Sequence, residues 1–276
     1  MHVAQLAMYP VKAGRGVPLD AGFVEARGLR GDRRWMVVDE RGRFVSQREL
    51  PALARLHVTV VEGGLHLTLD GETVAVPYPE ASAPRLEVTI WRDMLELPEA
   101  ADAGDWLTAC FGRPLRLVHQ SDGAVRPVSP DWGSPGDHTH LGDAFPLLVV
   151  TTAAFEAVHR AADSHIEMER FRPNVVVEGA DEGEDDGWAT IRIGNTVVDL
   201  VKPCARCTVT TVDQRRGVLT GDEPLAALRR TRMSADARVP GVLFGWNAVP
   251  RQLGTVRVGD TVEVLSRRDR WPIRPA

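Results

Sequence analysis

The sequence predicts a mainly β fold with some α-helix. Two neighbouring segments share the two-residue period of half-buried strands, with apolar residues at Leu56, Val58 and Val60, then at Leu65, Leu67 and Leu69. Asp70-Gly71 follows the second segment and leads into another alternation, which is a strong short-range signal for a hairpin. Many short strands with few helices favour closed sheets, because closure removes exposed edges. The alternation alone does not distinguish a barrel from a sandwich.

The rest of the first half continues this pattern up to one helix. Further strands are predicted at 35–38, 74–76, 86–90, 94–97 and 114–118. His57 and His66 fall opposite the apolar stripes and are therefore predicted to be solvated. A helix is predicted from 101 to 112, because Gly112 can end it and Cys110 lies on its apolar stripe. We interpret Cys110 as a packing residue.

A long loop is predicted from 120 to 141, where Ser, Pro, Gly and Asp are concentrated. Loops of this length in a compact protein are often functional, so this loop is a candidate cover for a bound ligand. His138 and His140 lie within it. Two histidines without acidic partners are more typical of loop residues than of a metal site, and we interpret them as loop residues.

The middle of the chain predicts a strand, a helix and a second strand. The strand at 146–150 precedes a helix that Thr151 or Thr152 can cap, with Phe155 and Val158 on its inner face. The second strand, at 175–177, follows Pro173. Because a proline biases the residue before it toward extended backbone, Arg172 and Asn174 are predicted to project toward one ligand.

The last hundred residues predict two more hairpins and a helix. Gly194-Asn195 joins two short apolar alternations, and the strands around 256–258 and 262–264 are predicted to form a closing hairpin. Pro224 opens a helix. The acidic run at 178–186 is predicted to be a solvated loop, with docking of a basic redox partner as the alternative. The basic segment at 267–274 is predicted to be disordered.

Composition narrows the classes of function. The chain has 276 residues, a net charge of −5 and three cysteines, and this length allows two domains or one large one. The small net charge does not predict nucleic-acid binding. So few cysteines argue against a disulfide framework and for a reducing compartment. No apolar run approaches the ~20 residues of a membrane span, and the N-terminus lacks a signal-peptide pattern. A cytoplasmic protein without membrane association is predicted.

Cys204-x-x-Cys207 is the densest chemical spot in the sequence, since Lys202 and Arg206 accompany two of the three cysteines. A zinc site needs about four ligands, and no second Cys or His pair completes one. A thioredoxin-like dithiol opens a helix, whereas residues 208–212 are mainly β-branched and favour a strand. Two buried thiols are an ordinary reading as well. A single soft metal ligand with cationic neighbours remains, and it suits a metal carried by an anionic cofactor.

The segment from Lys202 to Asp213 resembles the signature of the MOSC domain proteins, the molybdenum-cofactor sulfurase C-terminal family. It is most similar to the branch of the mitochondrial amidoxime-reducing component and its bacterial relatives. Five further segments match in order and approximate spacing: Tyr9-Pro-Val-Lys12, Gly28-Leu-Arg-Gly-Asp-Arg33, Arg170-Phe-Arg-Pro-Asn-Val175, Phe244-Gly-Trp-Asn247 and the Val258-Gly-Asp-Thr-Val262 hairpin. The resemblance covers residues 3–266, nearly the whole chain.

This resemblance implies a domain organisation and a cofactor. An N-terminal MOSC-associated β-rich domain is expected at 1–118, a MOSC β-barrel at 119–268 and a basic tail at 269–276. The molybdenum cofactor, molybdenum carried by molybdopterin, is expected between the two domains. The mitochondrial relatives carry a membrane-targeting N-terminus that is not expected here.

The resemblance also implies roles for individual residues. Cys207 is the expected molybdenum ligand, because family members use the second cysteine of the motif, and Cys204 is not expected to bind the metal. The residues expected to hold the anionic pterin end are Lys12, Arg33, Arg172, Asn174 and Arg206. Looser matches place Asp143 and Asn247 near the cofactor, and Asp213 is expected to support the sulfur ligand together with Thr210 and Thr211. Family members often have a hydroxyl residue after the lysine, where this chain has Ala13.

The implied activity is the reduction of N-hydroxylated compounds, such as amidoximes, at a cysteine-ligated molybdenum. Electrons are expected from a separate ferredoxin- or cytochrome-type protein, because no cysteine cluster for an iron–sulfur domain follows the last predicted hairpin. Two alternatives stay open. One is a MOSC protein that binds the cofactor or carries sulfur as a persulfide on Cys207, without reductase turnover. The other is a plain binding module or a subunit of a larger redox assembly.

Overall fold

The computed structural model describes residues 1–274 and confirms a mainly β fold with some helix. The first half contains β1 (His2–Met8), β2 (Val11–Lys12), β3 (Val17–Pro18), β4 (Ala21–Glu25), β5 (Gly28–Leu29), β6 (Trp35–Val38), β7 (His57–Val61), β8 (Gly64–Leu69), β9 (Glu72–Pro77), β10 (Arg85–Ile90), β11 (Asp93–Pro98) and β12 (Arg116–His119). The second half contains β13 (Arg126–Pro127), β14 (His138–Thr139), β15 (Leu147–Thr151), β16 (Val175–Glu178), β17 (Trp188–Ile193), β18 (Thr196–Ala205), β19 (Val212–Asp213), β20 (Val218–Leu219), β21 (Leu243–Gln252), β22 (Gly254–Arg257) and β23 (Val262–Arg267).

Helices are short and few within these residues. The α-helices are α1 (Ala101–Phe111), α2 (Thr152–Ala161) and α3 (Leu225–Thr231). Single 3₁₀ turns are formed by Pro51–Arg55, Met168–Phe171, Glu184–Gly187 and Thr208–Thr211. As predicted, α1 ends at Gly112 in the left-handed conformation, and the Thr151 side chain caps α2 by accepting a bond from the Ala154 amide.

The second half is organised by an eight-stranded sheet with the order β23-β17-β18-β21-β15-β16-β1-β3. Only β15 and β16 pair in parallel among the described strands of this sheet, because α2 connects them. Val3 N donates to Asp260 O, and Val262 N donates to Met1 O. These two bonds bring β1 to the start of β23, so the sheet curls back toward its own first edge. Trp188 and Trp246 lie fully buried in the core.

The first half builds a smaller core from three sheets and α1. β12, β6 and β2 form one sheet, β7 to β9 form a second, and β10 with β11 forms a third. Leu53, Leu67 and Leu107 are each completely buried where the 3₁₀ turn Pro51–Arg55, the β7–β9 sheet and α1 share one apolar cluster. The predicted hairpins at Asp70-Gly71 and Gly194-Asn195 are both confirmed.

The first thirty residues join the two halves. β1 pairs with β16, and β4 pairs with β22, so this segment is hydrogen-bonded into the second half although it begins the chain. β2 then pairs with β6 of the first half. The stretch between β1 and β6 consequently runs along the junction, and it carries Lys12 and Arg33. The predicted boundaries at 118 and 268 stay a prediction.

Three expectations about the second half are wrong. The strands predicted as a closing hairpin do not pair with each other, since β22 pairs with β4 and β23 with β17. Alternation identifies a strand without identifying its partner. The acidic run is not wholly solvated either, because Asp185 and Asp186 are buried and Asp186 accepts a two-pronged pair from Arg232, with both bonds at 2.7 Å. Burial and the neighbouring Asp186 raise the pKa of Asp185 to about 6.

The basic tail is the third. Trp271 is buried and its ring lies 6.1 Å from the rings of Trp246 and Trp132, so one apolar anchor orders a segment whose composition is basic. Of the tail predicted at 269–276, residues 275 and 276 lie outside the described part of the chain. No helix within residues 1–274 combines the length and apolar character needed to span a membrane.

Candidate functional site

A cleft at the junction of the two halves collects most of the predicted site residues. Its lining includes these residues that the sequence singled out: Lys12, Arg33, Asp143, Arg172, Asn174, Arg206, Cys207, Thr210 and Asn247. They come from β2, β21 and the connections between strands, spanning most of the chain. Thr211 and Asp213 do not line the cleft. The loop predicted at 120–141 contributes His140, and the small β13–β14 pair organises that loop.

Cys207 begins a 3₁₀ turn, and the strand predicted over 208–212 is wrong. The hydroxyl of Thr210 donates to Cys207 O, and the hydroxyl of Thr211 donates to Thr208 O, both at 2.9 Å. Such local bonds compete with the hydrogen bonds of a strand, so these β-branched residues form a 3₁₀ turn. The turn leaves Cys207 exposed at the mouth of the cleft. Thr211 lies behind this turn, where its carbonyl oxygen accepts bonds from Arg170 Nη1 and the Thr220 hydroxyl.

Asp213 lies farther from the cleft. Its carboxylate accepts bonds from the amides of Arg215 and Arg216, each at 2.9 Å, and so closes the turn between β19 and β20. The backbone amides and Arg170 and Arg216 hold the pKa of Asp213 below its ordinary value, against the opposing effect of burial. In this arrangement the carboxylate supports a turn that follows the cysteine segment. Its expected support of the sulfur ligand stays a prediction.

The two cysteines of the motif have different surroundings. Cys204 is half-buried, and its sulfur accepts a bond from Arg206 Nη1 at 3.0 Å. Arg206 Nη2 donates to Phe171 O at 2.6 Å, which ties this arginine to the cleft wall. The exposed Cys207 sulfur lies 3.8 Å from Arg48 Nη1. No group of three or more His, Cys, Asp or Glu side chains arranged to hold a metal ion occurs within residues 1–274.

The deep end of the cleft is built on Asp32, which is completely buried. Its carboxylate accepts bonds from Tyr9 N at 2.6 Å, Arg33 Nη1 at 2.5 Å and Asn174 Nδ2 at 3.2 Å. His140 Nε2 lies 2.9 Å from the same carboxylate. Burial raises the pKa of Asp32, but Arg33 and His140 outweigh it and hold the pKa at about 2. Asp32 is therefore ionised and fully hydrogen-bonded.

His140 is part of this network and not a plain loop residue. Its Nδ1 accepts a bond from Gly142 N at 2.8 Å, so the proton resides on Nε2, which also lies 2.9 Å from Pro146 O. Burial lowers the pKa of His140, although Asp32 opposes the shift. The neutral ring consequently donates from Nε2 and connects the loop to Asp32.

Asn174 and Arg33 make most of their hydrogen bonds with other groups of the protein. Asn174 Oδ1 accepts from Arg33 Nη1 at 3.0 Å and from Leu148 N at 3.1 Å, and its Nδ2 also donates to Ala7 O. Arg33 Nη2 donates to Arg172 O at 3.2 Å. These two side chains line the cleft and hold its deep wall in one arrangement.

Arg172 adopts a left-handed backbone with φ of 56°, so the extended conformation predicted from Pro173 is wrong. It ends the 3₁₀ turn Met168–Phe171, and this ending turns its side chain into the cleft. Nη1 donates to Gln214 Oε1 at 3.2 Å, while Nη2 is buried without a hydrogen-bond partner among residues 1–274. Burial lowers the pKa of Arg172 to about 10. A buried cation with a free donor favours a bound anion.

Lys12 is the other buried cation, only 6% exposed. Its Nζ donates to Asp143 Oδ1 at 2.7 Å, and Asp143 itself lies at the surface. Burial lowers the pKa of Lys12, and the contact with Asp143 opposes that shift. The next residue, Ala13, has a φ of 67°, which turns the chain immediately after the lysine.

The charges of the cleft do not balance. Five cationic side chains line it, namely Lys12, Arg33, Arg48, Arg172 and Arg206, against the single carboxylate of Asp143, with Asp32 behind the wall. Burying an excess of positive charge is unfavourable unless an anion compensates it. The donor set, with the unpartnered Nη2 of Arg172, therefore fits an anionic group of the pterin-phosphate kind. The exposed sulfur of Cys207 fits a soft metal beside it.

Sequence reasoning missed four residues of this site: Asp32, Tyr9, His140 and Arg48. Tyr9 lies between the two deep arginines in space, with Arg33 Cζ 4.4 Å and Arg172 Cζ 4.2 Å from its ring centre. Tyr9 and Asp32 stand inside matched segments, so weighing every polar residue there would have found them. Within residues 1–274, four of the five non-glycine residues with left-handed backbone line the cleft, a signal that only the structure carries.

The fold and the site define a class: a two-part β protein with a cationic cleft, suited to an anionic group, beside one exposed thiol. Comparison with known families agrees in both halves. Residues 1–114 match the family described as the MOSC N-terminal beta barrel domain, and residues 136–263 match the MOSC domain.

Individual relatives are similar over almost the whole chain. Mitochondrial amidoxime-reducing component 1 of Xenopus laevis is 32% identical, covering 96% of this chain and 82% of the relative. The human protein of that name is 31% identical over 96% and 83%, and human mitochondrial amidoxime reducing component 2 is 30% identical over 94% and 82%. The chain belongs to this family of MOSC domain proteins.

Proposed function

We propose that this protein reduces N-hydroxylated compounds with a molybdenum cofactor held in the junction cleft. The net reaction takes an N–OH group, two electrons and two protons to an N–H group and water. The observation that carries the proposal is the buried, unpartnered Nη2 of Arg172 in a cleft with excess positive charge and one exposed thiol at its mouth. The names of the relatives support the substrate class.

The deep cations would hold the anionic end of the cofactor. Arg172 offers a free donor, and Lys12 keeps its ammonium through Asp143. Arg33 is held by Asp32 and Asn174, so it presents its charge at a defined position without having to reorganise. Arg206 would add a further cation from the cysteine segment. A planar guanidinium suits phosphate oxygens because it donates parallel bonds.

Cys207 would supply the sulfur ligand for the metal. The 3₁₀ turn Thr208–Thr211 presents it outward at the mouth, whereas Cys204 is half-buried and engaged by Arg206. When bound, the cofactor supplies a metal centre that cycles by two electrons during oxygen removal. Asn247 and Thr210 line the same cleft and would orient this end.

The remaining parts of the reaction come from outside the chain. Electrons would arrive from a separate ferredoxin- or cytochrome-type donor, and the small N-hydroxylated substrate would enter at the exposed mouth. Phe44, Phe145 and Phe171 line the cleft and would limit the water that reaches a bound substrate. The cytoplasmic location stays a prediction.

Molybdenum and pterin content tests this function. The wild-type chain, made in a host that produces the cofactor, is expected to hold both near one per chain and to reduce benzamidoxime with a chemical electron donor. Cys207→Ser is expected to lose molybdenum by about tenfold or more, since it lacks the ligand itself. Cys204→Ser is the matched control and should keep the metal.

Absence of both molybdenum and pterin from a folded wild type would overturn the proposed reductase function. The sulfur-carrying alternative predicts a different result. It requires a stable added sulfur on Cys207, seen by mass spectrometry, with no reduction of the N–O bond. The observation that favours the sulfur-carrying alternative is the exposure of the Cys207 thiol beside Arg48.

A further inference from the structure

One side of the cleft mouth is formed by Phe44, Arg48 and Trp91. The rings of Phe44 and Trp91 lie 5.1 Å apart. The guanidinium carbon of Arg48 lies 4.9 Å from the centre of the Trp91 ring, and its Nη1 lies 3.8 Å from the Cys207 sulfur. The first half of the chain thus brings a cation to the sulfur of the second half.

Trp91 occupies a position that the backbone alone would not give to a tryptophan. It is the first residue of the two-residue turn between β10 and β11, with φ of 57°. Hairpin turns of this kind ordinarily place Gly, Asn or Asp there, because a bulky side chain is strained in the left-handed conformation. The residue is also 46% exposed. A strained and solvent-exposed tryptophan at a cleft is a feature typical of ligand contact.

Arg48 differs from the other cations of the cleft in depth. Lys12 and Arg172 are buried, whereas Arg48 is exposed and has no ion pair among the described residues. Because Arg48 lies beside an exposed sulfur, its charge can attract or repel molecules that approach Cys207 from solvent. Anchoring of the cofactor is left to the buried cations.

We propose that Arg48, positioned on the Trp91 ring, selects the substrates of this protein by charge. It favours N-hydroxylated compounds that carry a carboxylate or another anionic group near the N–OH, and it disfavours cationic ones. The flat face of Trp91 that Arg48 leaves open stacks the planar amidoxime group. This assignment deepens the proposed function and rests on it for the identity of the substrate.

The charge at Cys207 is measurable without cofactor or turnover. The full chain, made in a host that lacks the cofactor, is alkylated with iodoacetate and with iodoacetamide. Both reagents attack the same thiolate, so the ratio of their rates reports local charge and not thiol acidity. Trypsin cleavage after Arg206 separates Cys207 from Cys204, and mass spectrometry then reads each site.

Arg48→Gln is expected to lower the iodoacetate-to-iodoacetamide ratio at Cys207 about fivefold, the factor for one charge at roughly 4 Å in water. Arg48→Lys should retain most of the ratio, and Trp91→Ala should lower it partly because the guanidinium loses its support. Arg257→Gln removes the same charge from exposed β22 and should leave the ratio unchanged. An unchanged ratio in Arg48→Gln overturns the inference.

The loaded enzyme gives the second readout. We expect Arg48→Gln to keep its molybdenum and pterin, and to lose the preference for 4-carboxybenzamidoxime over benzamidoxime by about fivefold in kcat/KM. Loss of cofactor in this variant would make Arg48 an anchor and overturn its role in selection. If the wild type holds no cofactor, the proposed function fails, whereas the alkylation ratio still decides whether Arg48 sets the charge at Cys207.

Discussion

The deep end and the mouth of the cleft are built in opposite ways. At the deep end, Asp32 alone is contacted by Tyr9, His140 and Asn174, which lie in three segments far apart in sequence, and Asn174 uses both ends of its amide on the protein. At the mouth, Cys207 has one long contact with Arg48, and Trp91 is nearly half exposed. The deep end is held by the fold, while the mouth is left free for a ligand.

This difference separates two kinds of residue. A change at the deep end should alter stability and binding together, because each side chain there satisfies several buried groups. A change at the mouth should alter chemistry with little effect on stability, since few native contacts are lost.

Asp32→Asn should destabilise the protein strongly. The substitution leaves Arg33 in a buried site without its ionic partner, and breaking one side of a buried pair costs about 3–5 kcal/mol. The bonds from Arg33 to Asn174 Oδ1 and Arg172 O place the expected loss near the lower end, about 3 kcal/mol. Denaturant unfolding of the cofactor-free chain measures it.

Asp122→Asn is the matched control, because it removes a carboxylate that pairs with Arg34 while its side chain is 95% exposed. Exposed pairs contribute little, so we expect a loss below about 1 kcal/mol. Equal losses in the two variants would show that the deep network is not the stabilising part of the cleft.

Much of the fold could be predicted from the sequence because its signals are local. The hairpin at Asp70-Gly71, the end of α1 at Gly112 and the cap at Thr151 each depend on neighbouring residues. The pairing of strands depends on residues distant in sequence, and for this reason β22 and β23 were wrongly predicted to pair with each other. Trp271 likewise orders a basic segment through contacts distant in sequence.

Acid should weaken the deep end through the same carboxylate. The pKa of Asp32 lies at about 2 in the fold, below its ordinary value of 3.8, because Arg33 and His140 favour the ionised form despite burial. Its contribution, about 2 kcal/mol, is therefore complete above pH 4 and is lost as the pH falls toward 2. Unfolding free energies measured between pH 5 and pH 2 test this, and Asp32→Asn should show a shallower decline. An identical decline in both proteins would assign the acid sensitivity elsewhere.

The site could be predicted in part, and the missing part follows from how it is built. Matched segments indicated Lys12, Arg33, Arg172 and Cys207, which the structure brings to one cleft. The backbone of Arg172 was mispredicted because the 3₁₀ turn before it overrides the preference set by Pro173. Arg48 reaches Cys207 across 159 positions of sequence, and no local pattern marks such a contact.

Trp91 gives the smallest expected effect on stability and isolates the mouth. Trp91→Gly removes the contacts with Phe44 and Arg48, but it also relieves a left-handed backbone whose strain is about 1 kcal/mol. The two effects oppose each other, so the unfolding free energy should change by less than about 1 kcal/mol. Trp91→Ala loses the same ring and keeps the strain, so it should be less stable than Trp91→Gly by about 1 kcal/mol. If Trp91→Ala and Trp91→Gly are equally stable, the left-handed backbone at residue 91 carries no strain. If glycine is as stable as tryptophan here, folding does not explain why a strained tryptophan occupies the turn, and contact with a ligand does.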